Sequence, residues 1–271
     1  MGLAGRVRRE MRLGLSAALA RARMLAGHGP RFAGAYPDPA TALAAVPKTR
    51  LAGYDHDAVV DVTFPEMCRV ALWDYPVLLW LSRLARPGLR VLDAGGHLGT
   101  KHIAFSRLLD LGALDWTVYD LPAIIRAARA RQAAGHLPAA IRFTETLDGL
   151  AGVDLLLASG LLQYLDAPFA AFLGRLPAPP AHLILNKVAT RDGTPVTTLE
   201  RIGAARVPYQ IRARAAFEAE LAAAGYRVLD SWRIPSLAHT IATHPWLGPS
   251  TNRGYVLERV SSASSAASPA R

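Results

Sequence analysis

Residues Val91–His102, VLDAGGHLGTKH, contain the parts of a nucleotide-type binding site in sequential order. An apolar run ends at Asp93, a loop with three glycines follows, and a helical pattern begins at Thr100. Glycine serves where the backbone needs a positive φ or must approach a neighbour closely. A strand, a glycine turn and a helix N-terminus together typically bind a nucleotide cofactor. The stretch therefore predicts an α/β fold with a ligand at the carboxyl end of this strand.

Short apolar runs alternate with longer helical patterns from this strand to residue 187. The predicted strands are Leu89–Asp93, Trp116–Tyr119, Ala140–Phe143, Asp154–Ser159 and His182–Lys187. The predicted helices are Thr100–Leu111, Leu121–Ala134 and Ala167–Leu176. Repeated alternation of strand and helix predicts a parallel sheet with helices on both faces.

The pattern changes after Lys187. A polar segment, ATRDGTPVTTLERIGAARVPYQI, precedes a predicted helix at Arg214–Ala224, and strands Tyr226–Trp232 and Gly254–Arg259 follow. We therefore predict a doubly wound, mostly parallel, seven-stranded sheet. The connections after the fifth and sixth strands are long, and long loops in a compact domain are usually functional. Because ligands lie outside the carboxyl ends of such strands, we expect the substrate between these two loops.

The chain divides by composition into three parts. Residues 1–85 are predicted to be a basic helical extension, residues 86–260 the α/β domain, and residues 261–271, SSASSAASPAR, a disordered low-complexity tail. Apolar residues make up 51% of the chain, which excludes wholesale disorder. Cys68 is the single cysteine, so neither an internal disulfide nor a cysteine-rich metal site is expected. The expected compartment is the cytoplasm.

The positive charge is concentrated near the N-terminus. Residues 1–50 contain nine of the 31 Lys and Arg residues and only two acids, so the rest of the chain is close to neutral. An enzyme acting on nucleic acid typically carries its positive charge around the active-site groove, and no nucleic-acid partner is predicted. Residues 1–25 place arginines among Leu, Ala and Met at roughly helical spacing. This pattern fits a helix on an anionic membrane surface or an ordinary solvated helix.

The glycine loop lacks the G-x-G-x-x-G pattern that a dinucleotide pyrophosphate requires. It resembles the first motif of the S-adenosylmethionine-dependent methyltransferases, in which an acid ends the strand and glycines follow at alternate positions. Gly95 and Gly99 match this motif, His97 replaces the central glycine, and Gly96 is added beside it. The resemblance implies a Rossmann-like methyltransferase fold in which Asp93 and these four residues bind S-adenosylmethionine.

A second acid follows the next predicted strand. Asp120 stands 27 residues after Asp93, where a carboxylate can accept hydrogen bonds from both hydroxyls of a ribose. We expect Tyr119, Asp120 and Leu121 to contact the cofactor. Asp120 is also suited to cap the following helix, which has Pro122 in its first turn.

The fourth strand runs into the sequence SGLLQYL. This segment resembles the fourth-strand region of methyltransferases, whose residues flank the transferable methyl group. The resemblance implies that Ser159, Gly160, Gln163 and Tyr164 belong to the cofactor site. Gln163 and Tyr164 are unusual choices for a turn that only packs in a core.

A narrower resemblance rests on seven phrases in order: FAGAYPDPATAL, GYD, VLDAGGHLGT, WTVYDLP, SGLLQYL, VPYQIR and GYRVLDSW. Together they resemble a group of S-adenosylmethionine-dependent methyltransferases often encoded beside O-antigen and other surface-polysaccharide genes. The resemblance runs from about residue 32 to residue 259. It implies O-methylation of a sugar or other small-molecule hydroxyl, in polysaccharide or secondary-metabolite biosynthesis.

Methylation of a hydroxyl benefits from a base, because an alcohol is a poor nucleophile. Histidine suits this role near neutral pH, and the candidates are His97, His102, His239 and His244. We assign tentative catalytic roles to His239 and His244, which lie in the long segment after the sixth strand, and to Tyr209 in VPYQIR. Surface, capping and loop-anchoring roles are the alternatives for each of them.

Lys187 is suited to orient an anionic substrate, or simply to extend to solvent from a strand end. The acids Asp192, Glu200 and Asp230 are scattered, and no metal site is predicted.

Three other functions remain open. A nicotinamide-dependent oxidoreductase is disfavoured by the missing dinucleotide motif, and NADH titration would reveal one. A non-catalytic cofactor-binding partner in a biosynthetic complex would bind S-adenosylmethionine and transfer nothing. An RNA methyltransferase would still bind RNA in a salt-sensitive manner after removal of its basic N-terminal segment.

Overall fold

The structure is a computed structural model that describes residues 3–26, 28–55 and 63–260. Its helices are α1 (Leu3–Leu25), α2 (Pro39–Ala44), α3 (Phe64–Met67), α4 (Tyr75–Leu84), α5 (Thr100–Phe105), α6 (Pro122–Ala133), α7 (Phe169–Leu173) and α8 (Arg214–Ala223). Its strands are β1 (Phe32–Tyr36), β2 (Leu51–Ala52), β3 (Arg90–Ala94), β4 (Asp115–Tyr119), β5 (Arg142–Thr144), β6 (Leu155–Ser159), β7 (His182–Arg191), β8 (Val196–Ile202), β9 (Ala205–Ala213), β10 (Tyr226–Ile234) and β11 (Thr251–Arg259).

The main sheet has the strand order β5-β4-β3-β6-β7-β11-β10. The first five strands of this order are parallel, and β11 runs antiparallel to both of its neighbours. The predicted doubly wound, mostly parallel, seven-stranded sheet is therefore confirmed. The predicted strands and helices are correct in type, although α5 and α7 are shorter than predicted and β5 begins two residues later.

Side chains alternate between the two faces of the sheet, as strand geometry requires. Leu156 on β6 belongs to the apolar core shared with α7 and α8, whereas its neighbours Leu155 and Leu157 belong to the core shared with α4, α5 and α6. Continuous apolar runs such as LLLA are thus explained, because both faces of the parallel strands are covered.

A second group of strands extends the sheet above the carboxyl ends of the parallel strands. β8 and β9 form an antiparallel hairpin, and β9 joins the far end of β7 through Thr190 and Arg191. The prediction of a polar loop after Lys187 was therefore wrong: β7 continues to Arg191 and the hairpin follows. Its turn consists of Gly203 and Ala204, and Gly203 has φ +54°. Glycine at the first position is what a tight two-residue hairpin turn favours.

The N-terminal region is partly helical and partly extended. The helix α1 agrees with the sequence pattern, but β1 and β2 lie in the stretch predicted to be helical. β1 pairs antiparallel with β8, and β2 pairs parallel with β9. Long-range pairing with the hairpin selects these strands, so local sequence pattern did not reveal them. The predicted tail, residues 261–271, lies outside the described residues.

The last turns of α1 pack on the body of the protein. Ala17 is buried, and the Arg21 guanidinium donates to the carbonyl of Thr243 at 3.1 Å and lies 5.7 Å from the ring centre of Trp246. A different face of α1 exposes an apolar row: Val7, Met11, Leu15 and Leu19. Within the part of the chain that the structure describes, no helix is both long and apolar enough to cross a membrane.

Candidate cofactor and acceptor site

A cavity of about 1610 Å³ lies at the carboxyl ends of β3, β4, β6 and β7, beneath the β8–β9 hairpin. This is the edge of the sheet at which the sequence predicts the ligand. The segments after β7 and after β10 both contribute to the wall, in agreement with the expectation that these long connections surround the site. Predicted cofactor residues that line the cavity are Asp93, Gly95, His97, Tyr119, Asp120, Leu121, Ser159, Gly160, Gln163 and Tyr164.

The loop after β3 turns sharply through three left-handed residues: Gly95 (φ +72°), His97 (φ +56°) and Gly99 (φ +80°). A Cβ atom on Gly95 would lie 3.1 Å from the side chain of Leu161, so a larger residue there would press on the β6 segment. Gly95 and His97 line the cavity. The alternating left-handed residues explain the glycine pattern of the sequence.

The two other glycines of the motif are buried and shape the loop from within. A Cβ atom on Gly96 would lie 2.6 Å from the carboxylate of Asp93, and one on Gly99 would lie 2.6 Å from Cδ1 of Ile141. Their predicted role in the cofactor site is thus indirect: they allow the loop to fold tightly over the end of β3.

Asp120 ties the ends of two strands together at the cavity wall. One carboxylate oxygen accepts from the backbone N–H of His97 at 2.8 Å and the other from the backbone N–H of Leu121 at 2.8 Å. Burial raises the pKa of Asp120 to about 6, and these two amides oppose the rise. The expectation that Asp120 caps the next helix was wrong, because Asp55 accepts from the Ala123 N–H at the start of α6 instead.

Asp93 is a second buried acid beside the loop. It is 1% exposed, and the indole N–H of Trp116 donates to it at 3.3 Å. Burial raises the pKa of Asp93 to about 7. Two carboxylates at this end of the cavity suit a ligand with an amino group and hydroxyls, whereas they would repel a pyrophosphate. These hydrogen-bond acceptors fit the amino group and the ribose hydroxyls of S-adenosylmethionine.

The end of β6 supplies the next part of the wall. Gly160 has φ +93° and its N–H donates to the carbonyl of Asn186 at 2.9 Å. Gln163 is 6% exposed, and its Oε1 has no hydrogen-bond partner among the described residues. A buried amide oxygen without a partner costs free energy, so this atom is available for a ligand.

Aromatic side chains line the opposite end of the cavity in a continuous series. Their ring centres are 5.4 Å apart for Tyr54 and Tyr164, 5.6 Å for Tyr164 and Tyr209, and 5.0 Å for Tyr209 and Phe32. His239 stacks on Phe32 at 3.8 Å. Burial raises the pKa of all three tyrosines, so their hydroxyls are protonated donors at neutral pH.

Glu200 of β8 is buried among these rings, at 1% exposure. It accepts from the Arg31 guanidinium at 2.5 and 2.8 Å and from the Tyr164 hydroxyl at 2.6 Å. A buried carboxylate is tolerated only when it is paired and hydrogen-bonded, and both conditions are met here. The group is the polar centre of an otherwise aromatic wall.

The histidines predicted as bases occupy four different environments. His239 lines the cavity; its Nδ1 is 3.0 Å from the Ser250 hydroxyl, and its Nε2 has no hydrogen-bond partner among the described residues. Burial lowers the pKa of His239, which favours the neutral ring. His244 lies away from the cavity, with Nδ1 2.9 Å from the Thr243 hydroxyl and its ring against Trp246.

Of the remaining candidates, His102 packs edge-on against Trp116 inside the sheet. The backbone of His97 forms part of the loop described above. The structure therefore brings His239 and Tyr209 to the cavity, and does not bring His244 and His102 there.

Several cavity residues were not among the predicted site residues, notably Glu200, Gln210 and Arg31, and Lys187, which was considered for an anionic substrate, also lines the cavity. The alternation in VTTLERI and ARVPYQI around Gly203-Ala204 was a signal for a hairpin that would have found Glu200 and Gln210. In the described ranges, no group of three His, Cys, Asp or Glu side chains is arranged to hold a metal ion.

No protein-family model matches the chain, and no curated protein matches it in sequence. Among solved structures, it is similar to the 1,6-didemethyltoxoflavin N1-methyltransferase of Burkholderia thailandensis, with 21% identity, 80% of this chain and 98% of that chain covered, and a TM-score of 0.49. A S-adenosylmethionine-dependent methyltransferase of Methanosarcina mazei has 12% identity over 69% of this chain and 98% of its own, with a TM-score of 0.48. The CcbJ methyltransferase of Streptomyces caelestis has 14% identity over 83% and 97%, with a TM-score of 0.45. The likeness is too distant to carry residue roles, and the proposal below rests on the cavity.

Proposed function

We propose that the protein is a S-adenosylmethionine-dependent methyltransferase that O-methylates a sugar or another small-molecule hydroxyl. The observation that carries the proposal is the pair of carboxylates, buried Asp93 and half-buried Asp120, beside a left-handed glycine loop at one end of a large cavity. The resemblance of the sequence phrases to methyltransferase motifs supports it independently.

The residues that would hold the cofactor come from the ends of three neighbouring strands. Asp93 would accept from the amino group of the cofactor, and Asp120 would accept from its ribose hydroxyls. The backbone of Gly95 and His97 would line the space between these groups. Gln163 offers an unpartnered acceptor near the β6 end. When bound, S-adenosylmethionine supplies a methyl group on a positively charged sulfur, which is activated towards a nucleophile.

The remaining space supports an acceptor in the same cavity. Pockets for one small ligand typically measure roughly 300–1,000 Å³, and this cavity is larger at about 1610 Å³. Tyr54, Tyr164, Tyr209 and Phe32 present flat apolar faces and buried hydroxyls, a combination suited to a ring that carries both C–H and O–H groups. A sugar fits this description, in line with the resemblance to methyltransferases of surface-polysaccharide clusters.

Calorimetric titration with S-adenosylmethionine and S-adenosylhomocysteine tests the cofactor. We expect micromolar binding by the parent and a loss of at least tenfold in Asp120→Ala, because the loop loses the carboxylate that holds the His97 N–H. Asp148→Ala removes an exposed acid elsewhere and should bind as the parent does. Absence of binding by the parent, or equal binding by Asp120→Ala, would refute the assignment.

The alternatives give different results in the same preparation. A nicotinamide-dependent enzyme would bind NADH, which the two carboxylates disfavour. A non-catalytic partner would bind S-adenosylhomocysteine normally, yet would transfer no labelled methyl group to any fraction of a cell extract. Label that appears in the sugar-nucleotide or glycolipid fraction is the result expected from the proposal.

A further inference from the structure

Lys187 occupies an irregular point of the main sheet. β7 pairs with β11 through Leu185 opposite Tyr255 and Val188 opposite Arg253, so two residues of β7 oppose the single residue Gly254. This is a β-bulge, and Lys187 has the left-handed φ of +59° within it. A left-handed lysine costs free energy relative to glycine at the same place. Such strain is found where the side chain direction serves a purpose.

The bulge turns the lysine side chain into the cavity. A Cβ atom on Gly160 would lie 3.0 Å from both Cε and Nζ of Lys187, and 3.5 Å from Nε2 of Gln163. The amine therefore lies over the end of β6, with the space that it needs left by a glycine. This position is between the buried acids of the loop and the aromatic wall.

The amine of Lys187 has no partner in the described part of the chain. Among the described residues, Lys187 Nζ makes neither a hydrogen bond nor an ion pair, whereas the neighbouring Lys101 is bonded to both oxygens of buried Asp74 at 2.7 and 2.8 Å. Asp74 is thus already engaged, and Glu200 is held by Arg31 and Tyr164. Asp74 and Glu200 therefore already have hydrogen-bond partners other than Lys187.

The charges that face Lys187 come from four elements. Lys101 on α5 repels its positive charge, while Asp74 before α4, Glu200 on β8 and Asp93 on β3 attract it. Burial outweighs these attractions and lowers the pKa of Lys187 to about 8. At pH 7 about a tenth of the Lys187 side chain is then a neutral amine, and the rest is ammonium.

The choice of lysine and not arginine at position 187 also favours an amine that can lose its proton. Of the 31 basic residues in the chain only three are lysines, Lys48, Lys101 and Lys187, and two of these line the cavity. Arginine remains charged under all ordinary conditions, whereas lysine can lose its proton when buried. Lys101 is paired with Asp74, so Lys187 is the cavity lysine whose amine is left to face the ligand.

We propose that Lys187 is the catalytic base that receives the proton of the acceptor hydroxyl; this rests on the methyltransferase function proposed above. The acceptor O–H bond breaks and its proton forms a new N–H bond with the lone pair of Nζ. The oxygen electron pair forms the bond to the methyl carbon, and the electrons of the broken carbon–sulfur bond remain on sulfur. The ammonium then releases its proton to water.

The test is competitive acetylation of the three lysines with trace acetic anhydride over a range of pH, with no cofactor present, read by mass spectrometry of each peptide. Only a neutral amine reacts. We expect Lys187 to be half reactive near pH 8 and, at pH 7, to have a neutral fraction ~300-fold above that of an amine with the ordinary value of 10.5. Exposed Lys48 is the internal reference.

Three results would overturn the proposal: titration of Lys187 together with Lys48, no labelling of Lys187 at any pH, or protection of Lys187 by millimolar inorganic phosphate. The last would identify an ordinary ammonium that binds anions. Lys187→Arg should also bind S-adenosylhomocysteine as tightly as the parent, because the amine serves the acceptor and not the cofactor. If the parent itself does not bind S-adenosylhomocysteine, the proposed function fails. The acetylation profile still measures the protonation of the Lys187 amine independently of that result.

Discussion

The hydroxyl of Tyr164 donates a 2.6 Å hydrogen bond to Oε2 of Glu200, which joins the segment after β6 to the hairpin above it. Tyr164 belongs to the SGLLQYL phrase beside the cofactor end, and Glu200 belongs to the aromatic wall. One bond therefore fixes the segment after β6 against β8 within the aromatic wall. Glu200 is buried and Tyr164 is half-buried, so removal of the hydroxyl leaves a buried carboxylate oxygen without its donor.

Tyr164→Phe should destabilise the protein by about 1–3 kcal/mol, because the Glu200 carboxylate loses a donor while it stays buried. Thermal unfolding measures the change. Tyr75→Phe removes an exposed hydroxyl and should be neutral. Equal melting temperatures for Tyr164→Phe and the parent would show that the bond contributes nothing.

Asp93→Asn should alter how stability depends on pH. Burial raises the pKa of Asp93 from 3.8 to about 7, so the folded protein holds this proton over a range in which the unfolded chain has lost it. The parent therefore loses stability as the pH rises through this window, and the uncharged asparagine does not. Between pH 3.8 and about pH 7, we expect the free energy of unfolding of the variant to rise by roughly 2–4 kcal/mol relative to that of the parent. Urea unfolding at several pH values measures the difference, and a gap that stays constant would contradict the prediction.

Lys187→Met should stabilise the folded protein at neutral pH. The pKa of Lys187 is lowered from 10.5 to about 8, so between these values the unfolded chain binds more protons than the folded one. The parent therefore becomes more stable as the pH rises through this range, and below it carries the cost of a buried charge. We expect a gain of about 1–2 kcal/mol for the variant at pH 7, which disappears at high pH. Lys48→Met is the control and should show no such trend. A lower stability of Lys187→Met than of the parent at pH 7 would show that burial of the Lys187 charge is not destabilising.

Gly160→Ala should disturb the Lys187 amine, whereas the same change at Gly149 should not. Both glycines have positive φ, +93° and +76°, so both substitutions strain the backbone. A Cβ atom at Gly149 meets nothing within 4 Å, whereas one at Gly160 lies 3.0 Å from the Lys187 amine. We expect about 1 kcal/mol of strain at each site and a changed acetylation profile of Lys187 only in Gly160→Ala. The same profile in both variants would show that the amine does not lie over Gly160.

The exposed apolar row of α1 should bind an anionic membrane surface, because Arg8 and Arg12 lie on the same exposed side. Leu15→Glu should reduce co-sedimentation with phosphatidylglycerol vesicles at least tenfold, through lost apolar contact and added repulsion. Leu108→Glu makes the same charge change at an exposed leucine outside α1 and should bind nearly as the parent does. Equal binding by all three proteins, or none by the parent, would leave α1 as a solvated helix.

Local pattern was enough to predict the main sheet, since β3, β4, β6 and β7 are apolar runs bounded by turn residues. The glycine loop and Asp120 were found for the same reason: their chemistry follows directly from the strand that precedes them. The hairpin was missed because its strands are half polar and pair with β1 and β2, which come from a distant N-terminal part of the chain.

Side-chain direction was the other limit. His239 and His244 lie in the same irregular segment, yet only His239 faces the cavity, and no periodicity distinguishes them. Lys187 enters the cavity because of a bulge that depends on its pairing with β11, some 65 residues further along the chain. A single strand read by itself contains no sign of that bulge.

The hairpin is separable in chain order from the main sheet. β8 and β9 form a continuous insertion between the end of β7 and the start of α8, and the doubly wound sheet is complete without them. The insertion carries Glu200, Tyr209 and Gln210, while the acids and glycines of the loop lie on the conventional strands. If the proposed function is correct, substitutions confined to this hairpin alter the acceptor side of the cavity and leave the acids and glycines of the loop in place.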